Sequence, residues 1–152
     1  MADALNPDEL GAYFALVAAG DLLQRAVSTQ LAEHGLTPLQ FSILATLFEA
    51  SGAAPESPGL RMSDLADTLV VSRSGLTYQV TQLEKAGLVS RSSSSADSRG
   101  VVAALTPEGL ALIEAVFPGH VALVRAKFLD LVSADELATI RSALGRVSAS
   151  LR

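Results

Sequence analysis

With 152 residues, 49% of them hydrophobic, the chain can bury a core and is too apolar for wholesale disorder. It contains no cysteine, which excludes disulfides, thiolate metal sites and thiol-based redox sensing. No run of 18 or more apolar residues occurs and the N-terminus opens on an acid, Asp3, so the reading expects no bilayer span, no secretory leader and a cytoplasmic location.

The formal net charge of −5 is spread unevenly. Residues 1–60 set Arg25 against seven acids, while residues 61–99 hold five cations and four acids. Residues 100–152 carry five of each sign. A duplex needs only a local positive face, and the middle segment is the one region able to supply it.

In chain order, Asn6-Pro7-Asp8-Glu9 predicts a helix start with a capping Asn and Pro at the first helical position. Leu10, Phe14, Val17, Leu22 and Leu31 fall on one side of the long helix that follows, which ends at His34-Gly35. Thr37-Pro38-Leu39-Gln40 repeats the start signal, and Phe41, Leu44 and Phe48 mark an apolar stripe as far as Ser51-Gly52. Residues 51–59 are rich in Gly, Pro and Ser and read as a loop. A third helix is expected from a capping Ser63 to Val70-Val71, burying Leu65, Ala66 and Leu69. A fourth is expected from a capping Ser72 to Ala86, closed by Gly87.

Leu88–Ser92 and Gly100–Leu105 are short β-type runs around a polar tip, residues 93–99. Thr106-Pro107-Glu108 opens a helix towards Val132, kinked by Pro118. Ser133-x-x-Glu136 is a capping box for the last helix. There Leu137, Ile140, Leu144, Val147 and Leu151 recur at steps of three and four, a narrow seam for a partner helix. The fold expected is mainly α with a small β-hairpin wing. Its divisions are residues 1–36, 37–105 and 106–152.

On the fourth helix, Leu76, Val80 and Leu83 lie within about 60° of one another at 100° per residue and face a core. The far side then shows Ser74, Tyr78, Thr81 and Lys85, flanked by Thr77 and Gln82. Such a face fits the major groove, where side chains read base edges. At the hairpin, Ser94 leaves room for close approach to phosphate and Arg99 suits the negative potential of a minor groove, with Asp97 to steady it. Arg91, at the hairpin base, is placed for a phosphate. Taken singly, a polar helix face is what any solvated helix shows. The order of cap, short helix, turn, capped helix, Gly stop and hairpin is what points to a winged helix-turn-helix.

The chain resembles the MarR family of bacterial regulators in Leu36–Leu44, Met62–Ala66, Val71–Thr77 and Gln82–Arg91, then in Asp97-Ser98-Arg99 and Leu105–Gly109. The resemblance implies a homodimer whose N- and C-terminal helices intertwine, with Leu10 and Phe14 joining the C-terminal seam. It also implies a transcriptional repressor on a near-palindromic operator in double-stranded DNA, released by a small, often phenolic or anionic, effector. DNA contacts then fall on Ser72, Arg73, Ser74, Thr77, Tyr78 and Gln82, and on Asp97 and Arg99 of the wing. Family members often carry arginine where Tyr78, Gln82 and Ala86 stand here, and losing those cations weakens the sequence-blind part of binding.

For an effector pocket, Tyr13, Phe14, Arg25, Phe41 and Phe48 are the candidates, with core packing the competing role for the aromatics. Arg25 or Arg61 would have to reach in for an anionic effector. His34 and His120 have no carboxylate cluster around them; His34 reads as a helix-end decoration and His120 as a surface residue. No Gly-x-Ser-x-Gly elbow or phosphate-cradling glycine loop is present, so the reading expects no enzyme, metal or cofactor. The competing reading is a winged-helix protein-interaction module that binds little DNA.

Overall fold

The computed structural model describes residues 4–52, 59–93 and 100–152. Ser94, Asp97 and Arg99 lie outside the described residues. The elements are α1 (Pro7–Ala32), α2 (Pro38–Ser51), β1 (Leu60–Arg61), α3 (Met62–Leu69) and α4 (Arg73–Lys85). After them come β2 (Val89–Ser93), β3 (Val101–Leu105), α5 (Pro107–Lys127), a 3-10 turn (Leu129–Leu131) and α6 (Ala134–Ser150). The result is a mostly helical winged helix-turn-helix with a three-stranded antiparallel sheet. The chain divides into two units, Gln30–Pro118 and Met1–Thr29 with Gly119–Arg152.

The caps explain most boundaries. Thr37 accepts from the Gln40 N–H while the Gln40 side chain accepts from the Thr37 N–H, closing a reciprocal box at the head of α2. Ser133 and Glu136 do the same for α6, and Asn6 and Glu9 for α1. At the far ends, the Leu36 N–H reaches the Leu31 carbonyl, Val71 reaches Ala66, and Leu88 reaches Leu83. These bonds satisfy carbonyls that a helix end leaves open, and each needs a left-handed residue just before it. Gly35 and Gly87 supply it for α1 and α4; Val70, at φ 56°, supplies it for α3.

In the Gln30–Pro118 unit, α2, α3, α4 and the start of α5 enclose a core that includes Leu31, Ile43, Leu44, Leu65, Leu76, Val80, Leu83, Val89 and Ile113. All the buried hydrophobic side chains among the described residues belong to this unit. The sheet order is β1-β3-β2, with Leu60 opposite Ala103 and Val89 opposite Leu105. Thr106 ties α5 to the turn before β2: its N–H donates to the Leu88 carbonyl at 3.1 Å and its hydroxyl to the Gly87 carbonyl at 2.6 Å. The Gly109 N–H donates back to Thr106 Oγ1 at 3.0 Å, and a Cβ on Gly109 would collide with the Leu88 carbonyl.

Two expected helix boundaries need correction, and one strand stands outside the expectation. Helix α3 starts at Met62 with Arg61 as its cap residue, because β1 pairs with β3 up to Arg61 and the helix follows at once; Ser63 therefore lies inside the first turn. Strand β1 was not expected, since two residues after a Gly/Pro/Ser-rich stretch have no periodicity to read. Helix α5, expected to extend towards Val132, ends at Lys127, and a 3-10 turn, Leu129–Leu131, follows it.

The other unit holds most of α1, the end of α5 and α6. Along α1, residues 7–22 are exposed throughout, including Leu10, Tyr13, Phe14, Leu16, Val17 and Leu22. On α6, Leu144 and Val147 are exposed, as is Leu151 just after it, while Leu137 and Ile140 are half-covered. A cavity of about 560 Å³ is lined by Leu16, Ala19 and Leu23 of α1 with Phe128, Ile140 and Leu144. His120 is half-buried rather than on the surface, and burial pulls its imidazole pKa down.

By length and mean hydropathy (1.2 and 1.4), α1 and the segment Pro107–Leu131 meet the compositional test for a membrane span. Asp21 and Arg25 interrupt α1, and Ile113 and Val116 of α5 are buried in the core of the Gln30–Pro118 unit.

Candidate nucleic-acid interface

Helix α4 is built as an amphipathic rod. Leu76, Val80 and Leu83 are fully buried, and removing such a side chain leaves a cavity costing about 2–5 kcal/mol. On the outer side Ser72, Arg73, Ser74, Thr77, Tyr78 and Lys85 are exposed, and Thr81 and Gln82 are half-covered. Tyr78 keeps 62% of its surface in solvent. Arg73 and Lys85 stand at opposite ends of the helix, about 18 Å apart at 1.5 Å per residue. That span exceeds the roughly 12 Å width of a major groove, so the two cations can reach phosphates on either bank.

Several outward hydroxyls are already engaged. Ser72 Oγ accepts the Gly75 N–H at 3.1 Å as the helix cap and lies 3.4 Å from Ser74 Oγ. A Cβ at position 75 would press on that capping oxygen, which gives the glycine inside α4 a local reason. Thr77 and Thr81 donate to the Arg73 and Thr77 carbonyls at 2.8 and 2.7 Å. Their oxygens are left as acceptors, suited to the exocyclic amines of adenine or cytosine.

Two contacts hold α4 in place from its flanks. Gln40 Nε2 donates to Gln79 Oε1 at 3.2 Å, so the residue that closes the α2 box also braces α4. At the other end Arg91 donates from Nε and Nη2 to the two oxygens of Glu84, at 3.2 and 3.0 Å. Arg91, expected at a phosphate, is thus turned onto a carboxylate. That hydrogen bond holds the Glu84 carboxyl below the usual range and raises the guanidinium pKa.

A cleft of about 380 Å³ lies between the head of α3, α4 and the start of β3, lined by Arg61, Ser63, Arg73, Leu76, Thr77 and Val101 among others. It brings the expected Arg73 and Thr77 together with Ser63, which the sequence presented only as a cap. Of the effector candidates, Phe41 and Phe48 pack on Phe117 with ring centroids 5.8 and 5.4 Å apart, so both serve the core of their unit. Tyr13 and Phe14 contact each other at 5.7 Å and, like Arg25, are exposed on the part of α1 that belongs to the other unit. His34 is exposed in the turn after α1.

Residues 36–101 match the MarR family. The HTH-type transcriptional regulator PecS of Dickeya dadantii is 35% identical over 130 residues, which is 86% of this chain and 75% of PecS. AbsC, a MarR family transcriptional regulator from Streptomyces coelicolor, superposes with a TM-score of 0.90 at 36% identity, over 99% of this chain and 98% of AbsC. The chain belongs to the MarR family. It is a winged helix-turn-helix transcriptional regulator. Sco3205, another MarR family regulator from Streptomyces coelicolor, was solved in complex with DNA; it is 29% identical with a TM-score of 0.90, over 100% of this chain and 92% of Sco3205. In this MarR-family chain β2 and β3 form the wing, and α3 and α4 the helix-turn-helix.

Proposed function

We propose that two copies of this chain bind a near-palindromic operator and repress transcription from it. Residues 37–105 read the duplex, and residues 1–36 and 106–152 pair the copies. Helix α4 enters the major groove with Ser74, Thr77, Tyr78, Thr81 and Gln82 towards base edges, and with Arg73 and Lys85 on phosphates. Arg99 enters the minor groove, steadied by Asp97, with Ser94 beside the backbone. The observation that carries the reading is the split of α4, buried on Leu76, Val80 and Leu83 and open on a face without aliphatic residues. The likeness to Sco3205, solved with DNA, supports it.

The pairing rests on a physical ground as well. One copy leaves large apolar side chains exposed along both α1 and α6, and such surface marks an interface. Its natural cover is the same surface of a second copy. A small anionic or phenolic effector releases the operator, as the family resemblance implies. No catalytic step belongs to this reading, and a cytoplasmic location follows from its target.

The test is a gel shift on the DNA upstream of the protein's own gene, repeated across a salt series. A steep fall of affinity with salt, near 0.9 in log units per phosphate contacted, supports the regulator. Failure to bind any duplex at low salt would instead favour a protein-interaction module. Arg99→Ala is expected to weaken operator binding and leave the dimer intact.

A further inference from the structure

The Glu84–Arg91 pair joins the two elements that the DNA reading sends into different grooves. Side chains alternate along β2, so Val89 and Arg91 share one face and Ser90 and Ser92 the other. Val89 is buried, so Arg91 lies on the inner face of the wing, the face that meets α4. There it engages both oxygens of Glu84, fork against fork, leaving little rotational freedom at the joint.

Solvent reaches both side chains, at 27% for Arg91 and 39% for Glu84, so the pair adds little to overall stability. Its consequence is geometric. A three-residue turn, Ala86–Leu88, separates α4 from β2, and the pair closes the triangle on its open side. Glu84 is otherwise an unfavourable residue on a helix that must approach phosphate; paired with Arg91 its charge is matched.

We propose that Glu84 and Arg91 are positioning residues that set the angle between the wing and α4, so that both reach one duplex together, and that Arg91 is not a phosphate contact. This rests on the DNA reading above. The test uses the full chain as Glu84→Gln, Arg91→Gln, the double variant, and the charge swap Glu84→Arg with Arg91→Glu.

Each single variant is expected to bind the operator about fivefold more weakly, the size of coupling usual between touching residues, with an unchanged salt slope. The double variant should be no worse than the weaker single, and the swap should recover most of the loss. Melting temperature should move little. Without DNA, β2 and β3 amides should exchange faster in both singles.

Tighter binding by Glu84→Gln, or a slope shallower by about 0.9 per chain in Arg91→Gln, would overturn the proposal and make Arg91 a phosphate ligand. Unchanged exchange in the singles would remove the clamp whatever the DNA result. A wild-type chain that binds no duplex would defeat the DNA reading alone, because the exchange measurement still judges the clamp.

Discussion

Val70 occupies the position at the end of α3 that Gly35 and Gly87 occupy after α1 and α4. A β-branched side chain at φ 56° is strained, and at 59% exposure it recovers little by packing. Val70→Gly is therefore expected to stabilise the fold by about 1 kcal/mol, after allowing for the extra freedom of glycine in the unfolded chain. A denaturant titration reads this as a higher midpoint at unchanged slope. Tyr78 offers a second single-residue test. Tyr78→Arg places a cation on the open face of α4 and should steepen the salt dependence of operator binding by about 0.9 per chain. If the slope stays put, the open face of α4 does not lie against the duplex.

At the scale of elements, the wing and α5 depend on a close backbone approach. Thr106 and Gly109 bring the head of α5 against the Gly87 and Leu88 carbonyls. Gly109→Ala forces a methyl against the Leu88 carbonyl and should cost about 1–3 kcal/mol, as overpacking does. The loss should appear as a lower melting temperature, and in faster amide exchange at Leu88 and along β3 than in α6. The brace from Gln40 to Gln79 belongs to the same scale, because it ties the start of one helix to the middle of another.

For the whole molecule, the decisive feature is that the described parts of 1–29 and 119–152 contribute no buried hydrophobic side chain. Leu144 lines the apolar cavity beside α1 and is still 38% exposed, so Leu144→Asp should yield a single-chain mass by sedimentation and lose operator binding with it. A variant that stays dimeric would show that the seam does not hold the pair. His120 adds a pH dependence. Burial holds its folded pKa below the ordinary value of 6.5, so the unfolded chain takes the proton more readily. Stability is then full above about pH 6.5 and falls as pH drops below it, towards the folded pKa. His120→Gln should flatten that fall in melting curves recorded between about pH 5 and 7.

Local chemistry made much of the fold legible in advance. The caps at Thr37, Ser72 and Ser133, the stops at Gly35, Gly52 and Gly87 and the buried stripe of α4 depend on residues within a few positions of one another. Short-range bonds of that kind read the same in a sequence as in a folded chain. Strand β1 exists only because β3, some forty residues on, offers it a partner. The early start of α3 follows from that pairing, and Gly59 fits there because a Cβ would strike the Ala103 carbonyl. Arg91 was likewise open to any anion until the hairpin folded its inner face onto α4 and made Glu84 the nearest one. Contacts between residues far apart in the chain, or across a turn whose direction is set by packing, are decided by the tertiary structure, because no periodicity or spacing encodes which groups will meet.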